Sequence, residues 1–300
     1  MEALSIAAFW LSLGCSALAA LTAWAVVIYR PLHVRRLSLA TAGGGSWDEA
    51  RPAVANLRTG VPGIGIRLPR LLSRAVLAAL LVSLAARAVA TGYAPLTGLW
   101  EFTVALAAAV AAFQLVFERK RAAAVDLALQ PMVLLLLVVA AALPSRIEPL
   151  APALRSGNIL VAHVAVMVTA YGALTVSFAA ALLLFLQSSS RRLARLPDAR
   201  AFDDVGYGAV VIGFPLLTLG IALGAYWASS AWGRYWGWDP KETSSLVTWL
   251  AYGVYFHLHS LRGWSGRRSA GVLVLAYGFV LFSYFGVNLW VSGLHSYAGG

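Results

Sequence analysis

The stretch from Trp232 to Thr243 holds the densest set of side chains in this chain that could do chemistry. Trp232, Tyr235, Trp236 and Trp238 fall within seven residues, with Gly233 and Gly237 between them. Asp239-Pro240-Lys241-Glu242 then reads as a helix start: Asp at the N-cap, Pro at the first helical position, and Glu in the reciprocal place of a capping box. A flat aromatic shelf therefore feeds into a helix N-terminus, whose N–H groups and positive dipole end favour anions. A broad π-surface beside an anion site suits a planar ligand with carboxylates along one edge, and haem fits that description.

Histidine is the natural partner for such a ligand, since haem iron takes axial imidazoles. The chain has five: His33, His163, His257, His259 and His295. In an apolar chain each is a costly residue and a functional hypothesis by default. The alternative for each is a hydrogen bond to backbone or to a neighbouring helix. Their positions separate them once the elements are placed.

Sixty per cent of the 300 residues are hydrophobic and only 12% are charged, with mean hydropathy +0.77, so this is no ordinary soluble domain. A membrane-spanning helix needs about 20 mostly apolar residues. Eight such runs stand out, near 3–29, 71–91, 98–117, 124–143, 158–186, 206–228, 243–261 and 269–291. The sequence thus predicts an all-α polytopic membrane protein, a bundle of about eight transmembrane helices forming one domain over residues 1–300. No cleavable leader is evident, and the first apolar run reads as the first span.

The net charge of +11 could suggest a nucleic-acid partner, but the basic residues lie between apolar runs and report topology instead. Arginines crowd segment 30–70, then Arg119 to Arg121, Arg191 to Arg200, and Arg262 to Arg268; the intervening connections hold few. Positive-inside then puts both termini and the Trp-rich loop 229–242 outside the cytoplasm. Segment 30–70 reads as a long basic cytoplasmic loop, flexible around Gly43-Gly44-Gly45-Ser46. It shows no phosphate loop and few paired carboxylates, which argues against a nucleotide site. The single cysteine, Cys15, lies in the first span and leaves no disulfide, C-x-x-C pair or thiolate metal cluster.

On this topology His163, early in the fifth span, and His295, after the eighth, share the outer face with the Trp-rich loop. Together they make a candidate bis-imidazole haem pocket. His257 lies ~26 Å along its helix from Pro240, toward the cytoplasmic half, with Gly253 one turn earlier to leave room for a porphyrin edge. His259, beside Tyr255 and Arg262, reads as snorkelling toward the inner interface, and His33 as solvated. Glu101 opens the third span on the outer face, either as a helix cap or as a carboxylate near the pocket. Arg146 and Arg155 are surface charges that could also pair with propionates.

The run from Trp232 to Asp239 resembles the tryptophan-rich WWD signature of membrane haem-handling proteins. Its continuation, Pro240-Lys241-Glu242-Thr243 through Thr248-Trp249-Leu250 to Tyr255-Phe256-His257-Leu258, is similar to the CcsA (ResC) branch. Gly98-Leu99-Trp100-Glu101-Phe102 resembles that branch's Tyr-Glu-Ser element, with different flanking residues. The resemblance implies cytochrome c biogenesis in a bacterial plasma membrane, active on the extracytoplasmic face. Haem b would be joined by thioethers to the C-x-x-C-H segment of an apocytochrome c, with a CcsB (ResB) membrane partner and thiol-reducing proteins upstream. It implies His163 and His295 as axial ligands of an outer haem, and His257 as ligand of an intramembrane haem shared with the partner. Trp232, Tyr235, Trp236, Gly237, Trp238 and Asp239 would cradle the macrocycle, with Glu101 nearby. The other branch with such a loop, the CcmC-type delivery proteins, hands haem to a chaperone without forming thioethers, and is the alternative. A structural membrane subunit with an interfacial aromatic belt is the plainest reading of all.

Overall fold

The computed structural model describes residues 1–41, 63–118, 126–147, 157–187, 199–287 and 291. The described residues form eight α-helices in chain order: α1 Glu2–Thr41, α2 Gly63–Thr91, α3 Leu99–Glu118, α4 Asp126–Ala142, α5 Asn158–Gln187, α6 Ala199–Trp232, α7 Pro240–Arg262 and α8 Arg267–Leu281. A π-helical turn, Phe282–Gly286, prolongs α8. Backbone polar groups that face lipid must be satisfied within their own segment, so helices are the expected solution.

Six of these helices are long and apolar enough to cross a membrane: α1, α2, α3, α5, α6, and α8 with its π-turn. The sequence predicts eight. α4 is apolar but has 17 residues. α7 has 23 residues but places Ser244, Ser245, Thr248 and two histidines among its apolar ones, and it turns the first three inward. Segment 30–70 also differs from expectation, because α1 continues past Arg30 to Thr41 and α2 begins at Gly63. Pro31 is where the sequence suggests a stop, but α1 carries through it, and the Leu and Arg residues that follow propagate the helix. α6 likewise begins earlier than read, at Ala199.

α1 and α2 pack antiparallel as one pair, with the Ser83 hydroxyl donating to the Ser5 carbonyl at 2.8 Å. α5 and α6 form the most extensive pair. Between them small residues let the backbones close: a Cβ on Gly213 would stand 2.7 Å from Leu174, and one on Gly220 2.4 Å from Met167 Sδ. Such close approach by small residues is how membrane helices gain packing without a hydrophobic driving force. α3 lies between the two halves, with Gly172 of α5 against Ala109. Several interior polar groups find partners across helices. Gln130 of α4 donates to Ser73 of α2 at 2.6 Å and to Gln114 of α3 at 3.0 Å. Thr175 of α5 bonds Tyr277 of α8 at 2.9 Å, Ser244 of α7 donates to Ser283 at 3.1 Å, and Thr103 of α3 bonds Tyr284.

These pairings fix the ends. His163 meets Gly224 while Leu174 meets Gly213, so α5 and α6 run antiparallel. Trp249 meets Thr218 while His259 meets Tyr207, so α6 and α7 do too. The start of α3, the start of α5, the end of α6, the start of α7 and the π-turn therefore share one end of the bundle. That end carries the Trp-rich loop.

Candidate functional site

The loop is short and tied down by its own helix. α6 stops at Trp232, and Gly233 turns the chain with φ 73°. The capping box is as the sequence predicts. The Asp239 carboxylate accepts from Lys241 N–H at 3.1 Å, and Glu242 Oε2 accepts from Gly237 N–H at 2.8 Å and Asp239 N–H at 3.2 Å. Each of these bonds pulls the loop against the first turn of α7. The consequence departs from expectation: the helix's leading N–H groups are engaged by the Asp239 carboxylate, so they are not an open anion site. Positive charge at this end comes from side chains. Arg234 is exposed and folds over Gly237, and Lys241 is half-buried. Burial pushes the Lys241 ammonium down to about 8, against an upward pull from the Asp239 carboxylate.

The aromatic rings do not make a flat shelf. Trp236 and Trp238 stand at 88°, centroids 5.8 Å apart, so they form two walls of a corner. Trp232 rests edge-on against the buried Trp227 at 4.8 Å. Tyr235 and Trp238 are 63% and 69% exposed, which leaves their faces to whatever the loop receives. Trp238 holds a left-handed backbone, φ 57°, a conformation that a bulky residue adopts only when its surroundings impose it.

His163 sits on the second turn of α5, half-buried against α6. Its Nδ1 lies 2.7 Å from the Gly220 carbonyl. A carbonyl can only accept, so Nδ1 carries the proton, and in the neutral ring the lone pair is then on Nε2. Metal-binding histidines are characteristically held in this way. Gly220 lies three turns before the end of α6, which puts the ring below the Trp-rich loop.

Glu101 is on the first turn of α3, but its carboxylate is committed elsewhere. Arg87 of α2, with no exposed side-chain surface, donates to Glu101 Oε1 through Nε at 2.9 Å, and its Nη2 lies 2.8 Å from the same oxygen. That Nη2 also donates to the Ser145 carbonyl at 2.6 Å, and the Arg87 guanidinium lies over the Trp100 ring at 5.0 Å. Sequence reasoning passed over Arg87. Its signal was there, because an arginine within an apolar run demands a buried partner. Gly220 was missed as well, since nothing in a sequence marks a backbone carbonyl as an imidazole acceptor.

The remaining candidates separate. His257 is exposed on α7, with Gly253 one turn earlier and Phe214 3.7 Å from where a Cβ would sit there. His259 does not snorkel alone. Its ring stacks on Tyr207 at 4.5 Å and 13°, and its Nε2 is 3.5 Å from Asp203 Oδ2. Arg146 is exposed just past Ser145. His295 and Arg155 lie outside the described residues, as does the side chain of His33; α8 delivers the chain at Val287, at the loop's end of the bundle. Among the described residues, no three of His, Cys, Asp and Glu gather to hold a metal ion.

Comparison of the sequence with known proteins points to a family. Residues 96–295 match the cytochrome C assembly protein family, a span that takes in every candidate site residue from Glu101 to His295. The cytochrome c biogenesis protein CcsA of Synechococcus elongatus is 36% identical over 298 residues, covering 82% of this chain and 90% of the relative. CcsA of Prochlorococcus marinus is 38% identical over 244 residues, covering 69% and 76%. CcsA of Mesostigma viride is 39% identical over 176 residues, or 50% of this chain and 57% of the relative. These names favour the CcsA reading over the delivery-protein alternative. The chain belongs to the cytochrome c assembly protein family and is an integral membrane protein of cytochrome c biogenesis.

Proposed function

We propose that this protein presents haem b at the extracytoplasmic face of a bacterial plasma membrane and directs its covalent attachment to apocytochrome c. It works beside a CcsB (ResB) partner, and thiol-reducing proteins keep the acceptor cysteines reduced. The observation that carries this reading is the His163 imidazole, held through Nδ1 by α6 at the end of the bundle that carries the exposed Tyr235 and Trp238. The residues present fit the substrate. One imidazole has the tautomer that iron requires, the two Trp walls offer faces to a macrocycle, and Arg234 and Lys241 are placed for propionates. His295, which follows α8 in the sequence, supplies the second axial ligand. Alternating basic connections support the orientation, with both termini and the loop outside.

The chemistry is addition. Each cysteine S–H of the C-x-x-C-H segment crosses one vinyl double bond, forming a carbon–sulfur bond and placing its hydrogen on the other vinyl carbon. No atom leaves and no net electron is consumed. The chain's share is to bind, orient and exclude competing ligands. Its loop grips the ring through Trp232, Tyr235, Trp236 and Trp238, leaving the vinyl edge accessible, while the incoming histidine of the acceptor displaces one axial imidazole. Positioning alone can remove up to ~7–11 kcal/mol of barrier in ideal cases.

The test is the absorption spectrum of the purified complex with its partner, alongside the yield of a reporter cytochrome c. His163→Ala and His295→Ala should each lose the low-spin spectrum and cytochrome assembly, and added imidazole should restore both. Haem that is unchanged in both variants would remove the pocket.

A further inference from the structure

We propose that Gly224 is a positioning residue for His163: with the Gly220 carbonyl it forms a notch in α6 that fixes the imidazole's place and plane. This inference rests on the reading of His163 as an axial ligand. A glycine in the middle of a helix weakens it relative to alanine, so its presence on a packed face needs a reason. At Gly224 the reason is the histidine. A Cβ built there would stand 2.6 Å from His163 Cε1, 2.9 Å from Nδ1 and 3.3 Å from Nε2, and these three ring atoms are its nearest neighbours.

The two glycines act together. In a regular helix the Gly220 carbonyl bonds the N–H of residue 224, and its second lone pair is open to another donor. His163 Nδ1 takes that place at 2.7 Å. A ring can reach a helical carbonyl from the side only where the next turn has no side chain, and Gly224 provides that opening. Gly220 itself seats Met167, one turn along α5 from His163, so both turns of α5 are pressed onto bare backbone. The imidazole is thereby fixed twice, by a hydrogen bond at Nδ1 and by contact across its Nδ1–Cε1 edge. The direction of the Nε2 lone pair follows from that, and with it the place where iron can sit. The Nδ1–H bond also makes the imidazole a stronger donor, which lowers the iron potential.

The test uses the full chain with its membrane partner. Gly224→Ala should push the ring off the Gly220 carbonyl. Reporter-cytochrome yield should then fall about tenfold or more, the usual scale for losing the group that orients a ligating histidine. The haem retained should shift toward a high-spin spectrum and a higher midpoint potential, and added imidazole should reverse the spectral change. Gly213→Ala is the matched control, since its Cβ meets Leu174 at 2.7 Å with no contact to His163. An equal spectral change in that control would overturn the proposal, because it would make the effect one of general packing. If Gly224→Ala does not accumulate, the double variant His163→Gly/Gly224→Ala should, because removing the ring makes room for the methyl; failure of the double variant also overturns it. In a His163→Ala background, Gly224→Ala should add no further loss. A normal spectrum in Gly224→Ala, with haem lost in His163→Ala, sinks the notch and leaves the ligand. A normal spectrum in His163→Ala sinks both.

Discussion

At the scale of single residues, the site depends on which partner each charged group has. Glu101 is the clearest case. Read from sequence it is a helix cap or a carboxylate near the pocket; in the structure its oxygen is held by the fully buried Arg87. A buried ion pair adds little net stability, but removing one member strands the other charge, at a cost of roughly 3–5 kcal/mol. Glu101→Ala should therefore lower the unfolding temperature sharply, while Glu101→Gln, which keeps an acceptor for Arg87, should lower it less. In both variants the haem-to-folded-protein ratio should match wild type. A ratio that falls in Glu101→Gln without loss of stability would return the carboxylate to the pocket. The two halves of this pair differed in legibility for a physical reason. Glu101 was visible because it opens an apolar run, whereas Arg87 sits within one, and its partner, 14 residues away, is known only when α2 and α3 are side by side.

At the scale of elements, α7 and its leading loop behave as one unit. The capping box was legible because its donors and acceptors lie within five residues, so local rules decide it. The angle between the Trp rings was not, since it depends on a backbone held by Glu242 from outside the loop. Trp238 is where that hold shows, with φ 57° in a residue that dislikes it. A left-handed conformation costs an L-residue roughly 1–2 kcal/mol, and glycine is exempt. Since Trp238 is 69% exposed, little burial is lost with its ring. Trp238→Gly should thus unfold at the same temperature as wild type or higher, and Trp238→Ala lower than Trp238→Gly. Both should lose cytochrome assembly. Unfolding at a lower temperature in Trp238→Gly than in Trp238→Ala would mean the ring, not the backbone, is what the loop stabilises. The extension of α1 to Thr41 and the π-turn escaped the sequence for a related reason: hydropathy marks where a helix leaves the apolar layer, not where its hydrogen bonds stop.

At the scale of the whole molecule, α7 is the helix whose surroundings are incomplete. Its packed side makes polar contacts to its neighbours, with Ser244 on Ser283 and Trp249 Nε1 donating to Thr218 at 2.8 Å. Its other face exposes Val247, Leu250, Val254 and Leu261, and His257 falls on the same stripe. Leucine and valine are at ease in lipid, but on the proposed reading of His257 an imidazole among them is costly unless something pairs with it. Phe214 of α6 stacks on Trp249 and Phe256 of α7, with Gly253 keeping the α7 backbone low opposite Phe214. A planar apolar ligand with a metal centre would satisfy that face, and the second axial ligand would then come from the partner subunit. The two sites should therefore be separable by mutation. His257→Ala in the purified complex should lower the haem-to-protein ratio while leaving the signal that depends on His163, and His163→Ala should do the reverse. The chain purified without its partner should lack the His257-dependent haem alone. If His257→Ala changes neither content nor spectrum, the imidazole serves helix association, and cross-linking through a cysteine at Val254 should then locate the partner against the same face.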